Sequence, residues 1–390
     1  MTNLQKAIRK LQLNNKLVIL CRCGGSGQEE LLAALTKDYT FVDLSLPNLR
    51  LQAQQNPQLF LRSLGLPAHL ANLQCAPFLL THMLAGDEPL GQLIGSCTQN
   101  YYLAEAAQER VAFLELPLVS NAVDAEPFVP SEERLQKMRL IAQKAEVTAA
   151  ILRSGAADDM AAYVRGVLQR NIMERTTVSD EVKFYRFLCV SASTCGSVVN
   201  YAALAGNVGV TAPTIKQWLQ FLVGAGIVYL LPPVADIAGK RLVKAPKLYF
   251  KDTGIAAYLL QLYDLTALVQ SVYFKNLLEN YAVNIIRESF LEQGLLPDIR
   301  FYKDSNNKEI NLLLVWQDKL YPIYITLDKF YGRKLVKSSE IIRAYADREG
   351  LALQKSCAFT LGGGCAPVNE SLWQVGMELL PALAGSNFKR

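Results

Sequence analysis

Residues 17–35 place an apolar run, LVIL, a glycine-bearing stretch, CRCGGSGQEE, and an amphipathic start, LLAAL, in direct succession. A strand, a glycine-rich turn and a helix N-terminus in that order can cradle an anion, because backbone N–H groups and the positive end of the helix dipole converge on it. Phosphate chemistry needs more than this frame. In the spacing GxxxxGK(S/T), the lysine places a point charge on the β- and γ-phosphates and the hydroxyl holds Mg²⁺. Set in that register, Arg22 stands at the first glycine, Gly27 at the second, Gln28 at the lysine and Glu29 at the Ser/Thr, with Gly24 and Gly25 between. Gln28 is neutral, while Glu29 and Glu30 suit the helix dipole but repel a triphosphate. At about 4 Å and an effective dielectric near 20, each such contact costs on the order of 4 kcal/mol before screening. The glycines are therefore expected to turn a strand into a helix, with nucleotide binding weak or absent.

The elements around this loop must supply any missing function. The loop resembles the LxGPRQVGKTTLL segment that opens a prokaryotic family of AAA-type P-loop ATPases with a C-terminal domain of unknown function. Later segments match that family in order. HLANLQCAP (69–77) lies where the family has its Walker B strand, IIDEIQxxP, with Ala71 and Asn72 at the two acids and Gln74 and Pro77 retained. Carboxylates there hold Mg²⁺ and orient water, which an alanine and an amide do not. LIGSCTQN (93–100) resembles the family's sensor strand LTGS, and ERVAFLELPLVS (109–120) resembles GRVAxLELxPLS, which makes Ser96 and Arg110 sensor-like positions. The resemblance implies ATP and Mg²⁺ as cofactors; with both Walker motifs replaced, none is expected here.

The middle of the chain follows the family's FxRFL, GxxxN, LAxxxGV and TxxxWLxxL pattern, and it also has a reading of its own. Leu204 lies on one helix, Gly209 marks a turn, Thr211 caps the next helix with Pro213 in its first turn, and Trp218, Leu219 and Leu222 form a buried stripe. This is a helix-turn-helix. The strand 227–231 and the basic run Lys240, Arg241, Lys244, Lys247 complete a winged helix. Lys216, Gln217 and Gln220 are the candidate DNA-reading residues, together with Lys240, Arg241 and Lys244 on the wing. One cation on the reading helix is few for phosphate neutralisation, so a structural or subunit-contacting winged helix stands beside DNA binding. Tyr249 and Phe250 are expected in a core strand, with Asp252 and Gly254 in a turn.

Residues 271–390 continue the likeness. FKNLLENYAVNII resembles the family helix FExxVxxEI, and RFYKDSNNKEINLLL with KLYPIYITLDK resembles the strands RxxxGxEIDLLL and LYPIEIK. Those strands are similar to a restriction-endonuclease-like core, in which an aspartate and an E-x-K motif bind metal and activate water. Here Asn311 replaces the aspartate, Tyr324 the glutamate and Thr326 the lysine. Glu279, Glu309 and Asp328 remain nearby. They are either partly exposed acids on a sheet rim or a weak hard-cation site with residual nuclease activity.

Other chemistry is excluded more simply. Two histidines, His69 and His82, give no His-based triad or zinc site and are read as loop or packing residues. The eight cysteines contain no CxxC pair. Cys21 and Cys23 form a CxC, and Cys357 and Cys365 flank a GGG; buried structural thiols are the expectation. No apolar run reaches a signal peptide or a membrane span, so a reducing cytoplasm, no membrane partner and no disulfides are expected.

The expected fold class is α/β multidomain: a degenerate P-loop NTPase-like domain at 1–120, a helical linker and winged helix at 121–270 and a restriction-endonuclease-like α/β domain at 271–390. At 390 residues and 51% hydrophobic content the chain has enough apolar surface for these cores. Linkers are placed near 121–131 and 262–271. The formal charge is 0 for 1–120, +3 for 121–270 and +2 for 271–390, so no segment is a strong magnet for polyanions. Three replaced motifs point to a pseudoenzyme that binds DNA, a protein partner or a second copy of itself. An ATP-binding protein using Arg22 or Lys16, and a residual metal-dependent nuclease, are the alternatives.

Overall fold

Apolar residues follow one another along β1 (Leu17–Cys21) and give it two buried faces, with Leu17 and Ile19 on one side and Val18 and Leu20 on the other. A strand buried on both sides belongs inside a parallel sheet whose crossovers are helices. The computed structural model describes residues 3–15, 17–21, 28–85, 92–97, 111–117, 130–131, 135, 164, 181–234, 242–306, 308–327, 339–361 and 364–383. In it, β1 lies between β4 (Leu93–Cys97) and β5 (Val111–Glu115), and the parallel order β2–β3–β4–β1–β5 is completed by β2 (Thr40–Asp43) and β3 (Ala68–Ala71).

Helices cover both faces of this sheet. Leu4 and Ile8 of α1 (Asn3–Asn14) and Leu32 of α2 (Gln28–Leu35) pack on Val18, Leu20, Ile94 and Leu114. The other face receives Ala53 of α3 (Pro47–Gln55), Phe60 and Leu61 of α4 (Pro57–Ser63), and Leu79, Leu80 and Met83 of α5 (Phe78–Ala85). Gly95 lets β4 sit close to its neighbours: a Cβ there would lie 2.9 Å from Leu73 Cδ2 and 3.3 Å from Ile19 Cγ1, so those side chains would have to give way.

The chain divides into two compact units. The first is Met1–Asp124 with Gln220–Ile227 and Phe290–Leu296; the second is Ala125–Leu219 with Val228–Ser289 and Pro297–Arg390. The parallel sheet belongs to the first.

In the second unit, α6 (Glu181–Ser193) brings Phe184 and Phe187 against Trp218, with ring centroids 5.1–5.5 Å apart. Trp218 lies on α8 (Ala212–Gly224), which follows α7 (Tyr201–Val208). Local signals set that corner. Asn200 Oδ1 accepts the Ala203 N–H at 3.0 Å, Gly209 takes φ +80° at the end of α7, and Thr211 Oγ1 accepts the Thr214 N–H at 3.3 Å. Strands β6 (Val228–Leu231) and β7 (Lys247–Phe250) pair antiparallel. Asp252 caps α9 (Thr253–Leu259) through the Gly254 N–H, and 262–271 contains a short helix, α10 (Leu265–Gln270), capped by Asp264.

The 18-residue helix α11 (Phe274–Leu291) precedes a mixed sheet. Its order is β13 (Cys365–Asn369), β14 (Leu372–Gly376), β12 (Ser356–Thr360), β10 (Lys319–Ile325), β9 (Glu309–Trp316), β8 (Asp298–Lys303), with β11 (Ala352–Leu353) also on β10. The helix α12 (Ser339–Glu349) sets Ile342, Tyr345 and Ala346 against Tyr302, Leu313, Tyr324 and Ala358. The architecture is therefore mixed α/β with several sheets, and among the described residues no helix is long and apolar enough to cross a membrane.

Candidate functional site

Two places gather the polar residues that the sequence singled out, one in each unit. At the carboxyl ends of the parallel strands, Gln28 begins α2 but is 1% exposed, and its Nε2 donates to the Leu116 carbonyl at 2.8 Å. The position that the sequence register sets at the phosphate-binding lysine thus holds an amide directed at the protein's own backbone. Ser96 is buried in β4, where its hydroxyl meets Nε2 of the equally buried His69 at 2.8 Å. Ala71 ends β3, buried, and Asn72 follows with φ +56°. The Asn72 amide donates to Asp43 Oδ1 at 2.8 Å, and Asp43 Oδ1 also accepts the Ser45 N–H. Arg22, Gly24, Gly25, Gly27, Lys16 and Arg110 lie outside the described residues, as does the Glu29 side chain.

The second place is a buried ionic cluster within the second unit. Lys247, at the start of β7, is 1% exposed, and its ammonium lies 2.6 Å from Glu279 Oε1 on α11 and in direct contact with Glu309 Oε1 on β9. Glu279 Oε1 also accepts the Tyr249 hydroxyl at 2.6 Å, and Glu279 Oε2 accepts the Asn311 amide at 2.7 Å. Lys303 closes the outer side on Glu309 Oε2 at 2.8 Å. Asn311 Oδ1 accepts the Ile325 N–H at 2.9 Å, tying β9 to β10. An aspartate at 311 would face Glu279 as a like charge; the amide donates to it instead.

The electrostatics of the cluster fit one bound ammonium. Burial pulls Lys247 down, but Glu279 and Glu309 outweigh it and hold its pKa above the ordinary lysine value. Burial raises Glu309, and Lys247 with Lys303 more than reverses that, leaving it below the ordinary carboxylate value. Burial and the Glu279 charge raise Tyr249 well above its usual range, so its hydroxyl stays a donor.

Lys247, read in the sequence as a wing cation, is a buried strand residue whose charge is consumed by two carboxylates. Glu279, read among rim acids, is 4% exposed; Glu309 is half-buried. Tyr324 lies in the core with Ile342 and Tyr345, and Thr326 is buried with its N–H on the Phe359 carbonyl. Asp328 lies outside the described residues. Lys216, Gln217 and Gln220 share the exposed side of α8, and Lys244 is exposed before β7; Lys240 and Arg241 lie outside the described residues.

Sequence reasoning missed the His69–Ser96 bond, Asp43 and the convergence on Lys247. One signal was available for α11: Asn276, Asn280 and Asn284 repeat at intervals of four, the spacing of one helical face. All three are used. Asn276 donates to Ser197, Asn280 holds the Phe250 backbone, and Asn284 donates to the Phe250 and Lys251 carbonyls.

A family model described as a domain of unknown function (DUF8612) matches residues 145–266, less than half of the chain. No curated protein matches. Among solved structures, the crystal structure of protein VC1899 from Vibrio cholerae is similar over 98% of this chain and 94% of its own, at 11% identity. Its TM-score of 0.21 is too low to carry an argument about fold or function.

Proposed function

We propose that this chain is a catalytically silent binding or scaffold protein, built as a P-loop-like domain, a winged helix and a nuclease-like domain, and acting through a protein partner or DNA. The observation that carries the reading is Lys247. Its ammonium stands between Glu279 and Glu309, where a hard cation would have to bind to support hydrolysis. Asn311 supplies a donor to Glu279 in place of a third acidic ligand. The parallel sheet order, with α2 following the glycine-bearing segment that comes after β1 in sequence, supports the P-loop-like reading. Gln28 and Ser96, two positions expected to approach nucleotide, instead bond Leu116 and His69. On this reading ATP and Mg²⁺ do not fit, and no hydrolytic step runs through them.

The helix-turn-helix corner and the β6–β7 pair support the winged-helix reading. Its exposed Lys216, Gln217 and Gln220 keep DNA among the partners, with Lys216 the one cation on that helix.

Calorimetric titration of the purified chain with ATP and Mg²⁺ tests the nucleotide half of this proposal. No saturable heat is expected, and none should appear in a Gln28→Lys, Glu29→Thr variant that leaves the Leu116 carbonyl without its amide. Saturable micromolar binding by the natural chain, lost on changing Gln28, would favour the ATP-binding alternative.

A further inference from the structure

Cys21 ends β1 and Cys97 ends β4, and the two are paired residue to residue across the parallel sheet. Their sulfurs are 3.8 Å apart, with Cys97 fully buried and Cys21 half-buried. Adjacent strands run about 4.7–4.9 Å apart. That spacing falls within the roughly 4.4–6.8 Å range of Cα separations that a disulfide spans. A bond between them therefore needs side-chain rotation rather than strand movement.

We propose that Cys21 and Cys97 form a peroxide-responsive thiol pair, a modification site at the ends of two neighbouring parallel strands. The difference in exposure assigns the roles. The Cys21 thiolate attacks one oxygen of hydrogen peroxide, the O–O bond breaks, and hydroxide leaves to become water, giving a sulfenic acid. The Cys97 sulfur then attacks the Cys21 sulfur, the S–O bond breaks, the second oxygen leaves as water and the S–S bond forms. Two thiols lose two electrons and peroxide gains them. Thiol reductants reverse the step.

Three buried thiols are poorer competitors. Burial pushes Cys195 up to about 12, and its Sγ donates to Asn280. Burial raises Cys357 well above its ordinary value, and the buried Cys365 donates to the Leu135 carbonyl. Thiols in such surroundings are inert toward peroxide.

The test is limited peroxide treatment of the reduced, folded full chain, followed by alkylation and non-reducing tryptic mass mapping. Arg22 separates Cys21 from Cys23 on trypsin digestion, and a second digestion with chymotrypsin, cutting after Phe78, separates Cys75 from Cys97, so their partners are distinguishable. A Cys21–Cys97 peptide is expected as the first disulfide product, reversed by dithiothreitol, and Cys97→Ala should trap a dimedone adduct on Cys21. The proposal is overturned if Cys21 pairs with Cys23, if Cys357 and Cys365 pair first, or if both Cys21 and Cys97 remain alkylatable. Should the variant not fold, the map of the natural chain decides alone.

Discussion

Lys247→Met is expected to lower the stability of the folded chain by about 3–5 kcal/mol, the usual cost of breaking a buried ion pair from one side. The methionine fills the channel of the lysine stem but leaves Glu279 and Glu309 facing each other without the charge between them. Tyr249 and Asn311 still donate to Glu279, and Lys303 still holds Glu309, so neither carboxylate is bare. Repulsion and desolvation remain. Adding Glu279→Gln should recover part of the loss, because the amide needs no counter-charge; simple additivity in urea denaturation would mean that the contact is not energetically coupled.

The pH dependence of that loss has a sign. Glu309 is lowered on folding, so its contribution is present above the ordinary value of 4.5 and is lost as pH falls through the lower folded value. Lys247 is raised, so its contribution is present below 10.5 and is lost as pH rises through the higher folded value. The gap in urea midpoint between the natural chain and Lys247→Met is therefore widest between pH 4.5 and 10.5 and narrows on both sides.

Asn280→Ala is expected to cost on the order of 4 kcal/mol, since each buried group left without a partner costs about 1–3 kcal/mol. The side chain acts as a short neighbouring strand. Its Oδ1 accepts the Phe250 N–H at 2.8 Å, while its Nδ2 donates to the Phe250 carbonyl at 2.9 Å and to Thr253 Oγ1 at 2.8 Å. Asn284 also reaches the Phe250 carbonyl, so the stranded N–H should dominate the penalty. An aspartate restores an acceptor for that N–H but repels the carbonyl, and should fall between the two in thermal denaturation. Equal melting of all three proteins would contradict the assignment.

Much of the local architecture was legible because it is set by neighbours in sequence. The β1 run, Thr211 as a cap, the turn at Gly209 and the buried Trp218–Leu219–Leu222 stripe each depend on residues within a few positions. The ionic cluster was not legible, because it joins positions 247, 279 and 309, and no short-range pattern says that a lysine in a basic run will be turned inward. KRLVKAPKLYF reads as a solvated wing until the strand pairing of β7 fixes which way Lys247 faces. Gln28 was legible as a lost cation but not as a ligand of the Leu116 carbonyl, 88 residues away. The His69–Ser96 bond was hidden for the same reason, as it links residues on adjacent strands that are distant in the chain.

The central claim is that the Glu279–Glu309 centre is filled by the protein's own ammonium. Titration of the native chain with Mn²⁺ at neutral pH, followed by the paramagnetic resonance signal of the free ion, tests it most directly. The free-ion signal is expected to be the same in the natural chain and in Glu279→Gln. Stoichiometric Mn²⁺ uptake by the natural chain, abolished in Glu279→Gln, would show a working cation site and contradict it.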